Sequence, residues 1–334
     1  MTTNLKDIAR LAGVSIATVS MILNNKDQNI STSTRENVLR IARENNYIPN
    51  AMARSLIVGQ TKIIGLIIPD ISNPFFPELA RGVEDKANVS GYNVIFCNTD
   101  DDLEKEEKCL EMLAEKMVDG IIFAHSAKRT GGLENYIREN IPMILIDRDI
   151  DIDNVKGKVL VDNLYGAYQG VKHLLEKGYH KIAFITGALT SNTATERLQG
   201  YKKALKECDI PIDERYIKTG HYKSEWGVEA TELLLSEGIN FDAIFCGNDL
   251  IALGVMKTLM GKGFKIPDNV GIVGFDDIWM ANMVVPELTS VRQPNYEMGY
   301  KAAQMLIEVI SGSGIPTEKR EIVLKPELII RKSS

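Results

Sequence analysis

The chain has 334 residues, 44% of them hydrophobic, and a formal net charge of -6. That much apolar material can build a large core and two or three domains, while the acidic balance excludes a protein that coats nucleic acid with its whole surface. Residues 1–60 differ from the rest. Seven basic side chains (Lys6, Arg10, Lys26, Arg35, Arg40, Arg43, Arg54) stand there against four acidic ones (Asp7, Asp27, Glu36, Glu44), a local +3 on a body that carries -9, which suits a local phosphate contact and little more.

Residues 5–24, LKDIARLAGVSIATVSMILN, read as two short helices joined by a tight turn. Leu5, Ile8 and Leu11, with Ala9 and Ala12 beside them, are predicted to share the inward face of the first helix. Gly13 supplies the turn at little cost in left-handed backbone, and Ser15 can cap the second helix near Thr18. Val19, Ile22 and Leu23 then point inward, so Ile16, Ala17, Ser20 and Met21 point out. An outward face carrying Ile16 and Met21 calls for a cover, and the major groove of DNA would supply one; the alternative is a helical hairpin serving only as core. Ser31 caps a third predicted helix, with Val38, Ile41 and Ala42 inward, ending near Asn45–Asn46. Pro49 breaks the chain after it. Residues 50–62 allow one or two helical turns closed by Gly59, a helix too short to stand alone in water.

From Lys62 the texture changes. Apolar runs at 63–69, 92–98, 120–124, 142–147, 181–187, 242–248 and 270–276 alternate with amphipathic stretches long enough for crossovers. This predicts two parallel sheets covered on both faces, divided near Val161–Asn163. Ligands of such sheets bind at the carboxyl ends of the strands. The polar residues there run from Asp70 to Phe76 and then include His125, Asp147 and Arg148, the loop to Arg197, Tyr222, Asn248 and Asp249, Asp276 and Gln293. They suit a polyhydroxylated ligand: Asp147, Asp276 and Asn248 would accept from hydroxyls, Arg148 and Arg197 would donate, and Phe75, Phe76 and Tyr222 would cover C–H faces. Strand-end caps and inter-domain salt links are the bland alternative.

With these residues in place, the sequence resembles the lactose/galactose repressor family from Leu5 to about Arg331. The segments KDIARLAGVSIATVS, YIPNAMARSL, NPFFPELARGVE, VDGIIF, YHKIAFITG, FCGNDLIALG and VGFDD carry the resemblance by order and spacing. It implies an all-α helix-turn-helix headpiece (1–48), a hinge helix and linker (49–60) and a periplasmic-binding-protein-like α/β core (61–334). The core would hold two doubly wound parallel-sheet subdomains, about 61–161 with 292–324 and about 162–291 with 325–334. The core is also similar to periplasmic sugar-binding proteins of the ribose type. That likeness implies a ligand shell of Asn73, Phe75, Phe76, Asp147, Arg148, Arg197, Asn248, Asp276 and Gln293, with Tyr222 where relatives have phenylalanine and His125 where they have asparagine.

At the DNA end the resemblance places Ile16, Ala17 and Met21 at base-reading positions and Ser15, Thr18 and Asn24 near phosphates. Relatives often carry arginine or histidine where Met21 stands, so these three offer bases only apolar contact. Leu56 is implied as a wedge inserted from the minor groove, with Asn50 and Ala53 lining that groove. Two hinge helices meeting there imply a homodimer on palindromic operator DNA.

The expected function is a transcriptional repressor of carbohydrate-utilisation genes answering to a small sugar, ribose first and another monosaccharide second. PDISNPFFPELARGVED also resembles the catabolite-control regulator of Gram-positive bacteria, in a family where some members answer to a phosphorylated protein; Asp147 and Arg148 favour a sugar. A purine is disfavoured, because purine-responsive relatives have arginine where Ser191 stands and tryptophan in place of Arg148. An enzyme is not expected: G-x-G-x-x-G after the first strand, G-x-x-x-x-G-K-[ST] and G-x-S-x-G are all missing. Nor is a cofactor or metal, since the four histidines show no ligand spacing and Cys97, Cys109, Cys208 and Cys246 form no C-x-x-C pair. Without a signal peptide or membrane-spanning run, the expected location is the cytoplasm, away from the membrane. A sugar-binding protein with no DNA role is the rival of a different class.

Overall fold

The computed structural model describes residues 3–24, 27–47, 59–127, 129, 132–133, 141–150, 152, 155–313 and 320–334. It divides into two compact units, Met1–Thr61 and Lys62–Ser334. In the first, α1 (Leu5–Ala12), α2 (Ile16–Leu23) and α3 (Thr32–Glu44) each begin on a side-chain cap. Asn4 and Asp7 form a reciprocal capping box on α1, Ser15 Oγ accepts the Thr18 N–H at 3.1 Å, and Ser31 Oγ accepts that of Thr34 at 3.2 Å. Gly13 closes α1 at φ 67°. Ile8, Ala9, Val19, Ile22, Val38, Ile41 and Ala42 form the shared core.

One expected core residue is corrected. Leu11 is 52% exposed. Leu5, Ile8, Ala9 and Ala12 already fill the inward arc at i, i+3, i+4 and i+7, and Leu11 lies about 100° around the helix from Ala12.

The second unit holds two six-stranded sheets. The first has β1 (Ile63–Ile68), β2 (Asn93–Asn98), β3 (Gly120–Phe123), β4 (Met143–Ile146), β5 (Gly157–Val161) and β11 (Glu321–Leu324), in the order β11-β5-β4-β3-β1-β2 and all parallel. The second has β6 (Ile182–Gly187), β7 (Ile217–Gly220), β8 (Ala243–Cys246), β9 (Gly271–Asp276), β10 (Thr289–Arg292) and β12 (Glu327–Ile329), in the order β12-β10-β9-β8-β6-β7, with only β12 antiparallel. β3, β4, β6, β8 and β9 are buried at every residue, as strands with helices on both faces must be. The chain passes between the sheets after Val161, after Arg292 and after Leu324.

Covering helices meet through glycine. In the first lobe α4 (Phe75–Val89) packs on α10 (Asn295–Ile310), and α5 (Leu103–Glu115) lies against β1 and β2. A Cβ at Gly82 would overlap the Tyr296 carbonyl, and one at Gly299 the Leu79 carbonyl. In the second lobe α6 (Asn163–Glu176) packs on α7 (Asn192–Glu207), and α8 (Ser224–Ser236) on α9 (Asp249–Gly261). There Gly200, Gly227 and Gly254 face backbone carbonyls in the same way. Because the obstacle is backbone, it cannot swing aside. Gly299→Ala is expected to cost about 1–3 kcal/mol, read as a lower urea midpoint with an unchanged slope.

Candidate functional site

A cavity of about 410 Å³ opens between the carboxyl ends of the two sheets, the position a parallel α/β sheet offers a ligand. From the first lobe, Asn73 ends the β1 loop and starts α4, its Oδ1 accepting the Phe75 N–H at 3.1 Å. Phe75 and Phe76 follow, edge to face at 4.9 Å. Asp147 and Arg148 come directly after β4, Asp147 in left-handed backbone at φ 68°. From the second lobe come Arg197 on α7, Tyr222 after β7, Asn248 after β8, Asp276 at the end of β9 and Gln293 after β10.

The polar groups are buried and interlocked. Gln293 Nε2 donates to Asp276 Oδ1 at 2.7 Å, while Gln293 Oε1 is buried and has no partner among the described residues. Asn73 and Asp276 face the same cavity from the two lobes. Arg197 donates from Nε to Asn163 Oδ1 at 2.9 Å and from Nη1 to the Gly247 carbonyl at 2.5 Å, and its guanidinium lies 3.8 Å over the Phe275 ring. Arg148 donates from Nη1 to Asp101 Oδ1 at 2.6 Å and to the His125 carbonyl at 2.9 Å. Asp276 sits at φ 105°, a conformation few non-glycine residues hold.

Burial raises the carboxyl of Asp147, with Arg148 and Arg197 pulling the other way. Burial likewise pushes Asp276 up to about 7 against the pull of Arg197 and its hydrogen bonds. In the free protein the fold therefore favours protonated Asp276: that contribution is full below the ordinary carboxylate range and is lost as pH rises through about 7. A hydroxyl donates more strongly to the ionised form of Asp276, so ligand affinity runs the opposite way. Titration calorimetry at pH 6 and pH 8 is expected to show roughly tenfold tighter binding at the higher pH, with proton release on binding at the lower.

Two expected roles change. His125 is buried behind Arg148 and is not on the cavity wall. Its Nδ1 is 2.8 Å from the Ser126 carbonyl and its own carbonyl accepts from Arg148, so it braces that guanidinium. Asn248 spends its Oδ1 on the Ile251 N–H at 2.9 Å, capping α9, and donates from Nδ2 to the Tyr222 carbonyl at 3.4 Å, which leaves the second N–H of that nitrogen as the more available group. Asp249 fits the bland alternative. It is fully buried and holds loops together, accepting from Ser290 Oγ at 2.5 Å and the Ile278 N–H at 2.8 Å. Residues not singled out beforehand also line the cavity, notably Asp100, Asp101, Thr193, His221 and Lys223. The three aspartates Asp100–Asp102, one residue past the end of β2, are the available signal for Asp101.

On the headpiece, Ile16 and Met21 are 44% and 41% exposed, and Ala17 and Ser15 are exposed beside them. Thr18 is half-buried, its Oγ1 2.9 Å from Ser15 Oγ. Asn24 folds back on its own helix, donating to the Ser20 carbonyl at 2.7 Å. Asn50, Ala53 and Leu56 lie outside the described residues. Among the described residues, no cluster of three or more His, Cys, Asp or Glu could hold a metal, and no helix is long and apolar enough to cross a membrane.

Sequence profiles of two families match. Residues 61–329 match the periplasmic binding proteins and sugar binding domain of the LacI family, and residues 4–50 match the bacterial regulatory proteins of the lacI family. The chain belongs to the LacI family. It is 40% identical over 335 residues to the HTH-type transcriptional regulator RegA of Clostridium saccharobutylicum, covering 100% of both chains. It is also 40% identical over 332 residues to the ribose operon repressor of Halalkalibacterium halodurans, covering 99% of this chain and 97% of that one. Among solved structures, the lac repressor dimer bound to operator and the anti-inducer ONPF matches with a TM-score of 0.86 at 26% identity, over 100% of this chain and 99% of that one. This LacI-family chain is a DNA-binding transcriptional regulator, not an enzyme, with a helical headpiece ahead of a two-sheet sugar-binding-type core.

Proposed function

We propose that this regulator represses carbohydrate-utilisation genes in the cytoplasm, binds palindromic operator DNA as a homodimer, and releases it when a small sugar fills the cavity. Ribose is the first candidate. The observation that carries the reading is a buried acid and a buried base on the cavity wall of each lobe: Asp147 and Arg148 in one, Asp276 and Arg197 in the other. A sugar hydroxyl both donates and accepts, so a ring of hydroxyls can satisfy carboxylates, guanidiniums and the orphaned Gln293 Oε1 together. Phe75, Phe76 and Tyr222 supply faces for its C–H groups. The name of the ribose operon repressor, similar along nearly its whole length, supports the choice of sugar.

The DNA half rests on the exposed Ile16, Ala17 and Met21 of α2, which meet base edges in this reading while Ser15, Thr18 and Asn24 lie near phosphates. One three-helix head touches too few base pairs to be specific, hence the dimer. Sugar bound to both lobes favours their closed arrangement, and closure shifts the first lobes of the dimer so that the hinge helices carrying Leu56 lose their shape. Thermal-shift screening against pentoses and hexoses tests the effector directly. Ribose at a hundred times its Kd is expected to add about 2.7 kcal/mol to the core's apparent stability; no shift with any sugar would overturn the sugar reading.

A further inference from the structure

The charges on the cavity walls narrow which chemical form of sugar can enter, an inference that rests on the sugar reading above. Both guanidiniums already have partners. Arg148 is paired with Asp101 at 2.6 Å and has Asp147 Oδ2 3.9 Å from its Nε. Arg197 donates to Asn163 and Gly247 and packs its guanidinium on the Phe275 ring, in a cavity that Asp147 and Asp276 also line. Asp101 is built into place for this task. Its N–H donates to the Pro69 carbonyl at 2.9 Å, its carbonyl accepts from Ser126 Oγ at 3.0 Å, and its Oδ1 accepts the Ala127 N–H at 3.0 Å. It holds a left-handed φ of 57° to do so. At the rim, Asp70 and Asp100 add two more carboxylates. Lys105, outside the lining, pairs with Asp100 from the flank, and Lys223 lies in the lining. Around the cavity stand five acids (Asp70, Asp100, Asp101, Asp147, Asp276), of which Asp100 is paired with Lys105 and Asp276 is pushed toward its protonated form, together with Arg148, Arg197 and Lys223.

We propose that the cavity is a filter for uncharged sugars that rejects their phosphate esters, with Asp101 as a specificity-determining residue that neutralises Arg148. An entering phosphate finds the Arg148 charge already countered by Asp101, with guanidinium N–H groups left for neutral hydroxyls, and meets buried acids where charges are poorly screened. A neutral sugar instead brings O–H donors, the partner those carboxylates need. Its hydroxyls cost less to strip of water than a phosphate does.

The test titrates the full chain calorimetrically with D-ribose, D-ribose 5-phosphate and 5-O-methyl-D-ribose, the last blocked at the same oxygen without charge. The phosphate is expected to bind about tenfold or more weaker than ribose, and about threefold or more weaker than the methyl ether. Asp101→Asn preserves the acceptor for Ala127 and removes the charge, so it is expected to narrow the ribose-to-phosphate ratio by about threefold or more. A merely structural residue would weaken both ligands alike and leave the ratio fixed. The phosphate binding as tightly as ribose, or the methyl ether as poorly as the phosphate, would overturn the filter, and an unchanged ratio in Asp101→Asn would remove that residue from it. Phosphate binding without ribose binding defeats the filter while the sugar reading stands. If neither binds, the ribose reading itself has failed and the filter with it.

Discussion

Asp276→Ala is expected to lower sugar affinity at least about a hundredfold. The substitution deletes a buried acceptor at the end of β9 that Gln293 Nε2 orients and that two sugar hydroxyls can donate to in this reading. Hydrogen bonds to a charged group are worth about 1.5–3 kcal/mol each, and two of them lost exceed the roughly 2.7 kcal/mol that a hundredfold requires. Gln293 and Arg197 would also be left facing a gap. Stability separates this role from a structural one. Because burial disfavours the ionised carboxyl, with its pKa pushed to about 7, the neutral Asp276→Asn protein should melt no lower than the parent at pH 8 while still binding sugar poorly. Undiminished binding by Asp276→Ala in calorimetry would take that residue out of the site.

Leu56→Ala should weaken operator binding by about ten- to a hundredfold and leave sugar affinity unchanged. An apolar side chain between base pairs spends a few kcal/mol on unstacking and recovers it through the bend and the added contacts that follow. Alanine is too short to hold the step open. Leu56 lies outside the described residues, so the expectation rests on the sequence motif alone. Operator fragments measured by fluorescence anisotropy at one fixed salt concentration give the affinity, and equal binding by parent and variant would end the wedge role. Salt must be held constant because phosphate contacts make affinity steeply salt-dependent.

Much of this architecture could be read before any coordinates, and the failures have physical causes. The headpiece was legible because each of its helices carries a local cap and an apolar stripe. Leu11 misled because a leucine at the margin of an arc fits the period without being needed inside. Long apolar strands such as Ile63–Ile68 and Gly271–Asp276 announced themselves. Gly157–Val161, Ile217–Gly220, Thr289–Arg292, Glu321–Leu324 and Glu327–Ile329 did not. All five are short, and those at sheet edges are half-exposed and carry lysine or glutamate.

For the cavity, the rule that ligands meet strand carboxyl ends reached every expected residue that now lines it. His125 escaped the rule because its ring turns to the neighbouring Ser126 backbone. Asp101 was missed for a different reason: its partner Arg148 is 47 residues away in the chain, a pairing no local pattern encodes.

The central claim is that occupancy of a polar cleft governs DNA binding, and operator affinity of the full-length protein with and without saturating ribose tests it most directly. The account predicts tight binding to a palindromic fragment in the absence of sugar and a loss of about tenfold or more when ribose is added, the size of a coupling of about 1–3 kcal/mol. Operator affinity that stays the same while ribose demonstrably occupies the cavity would contradict it.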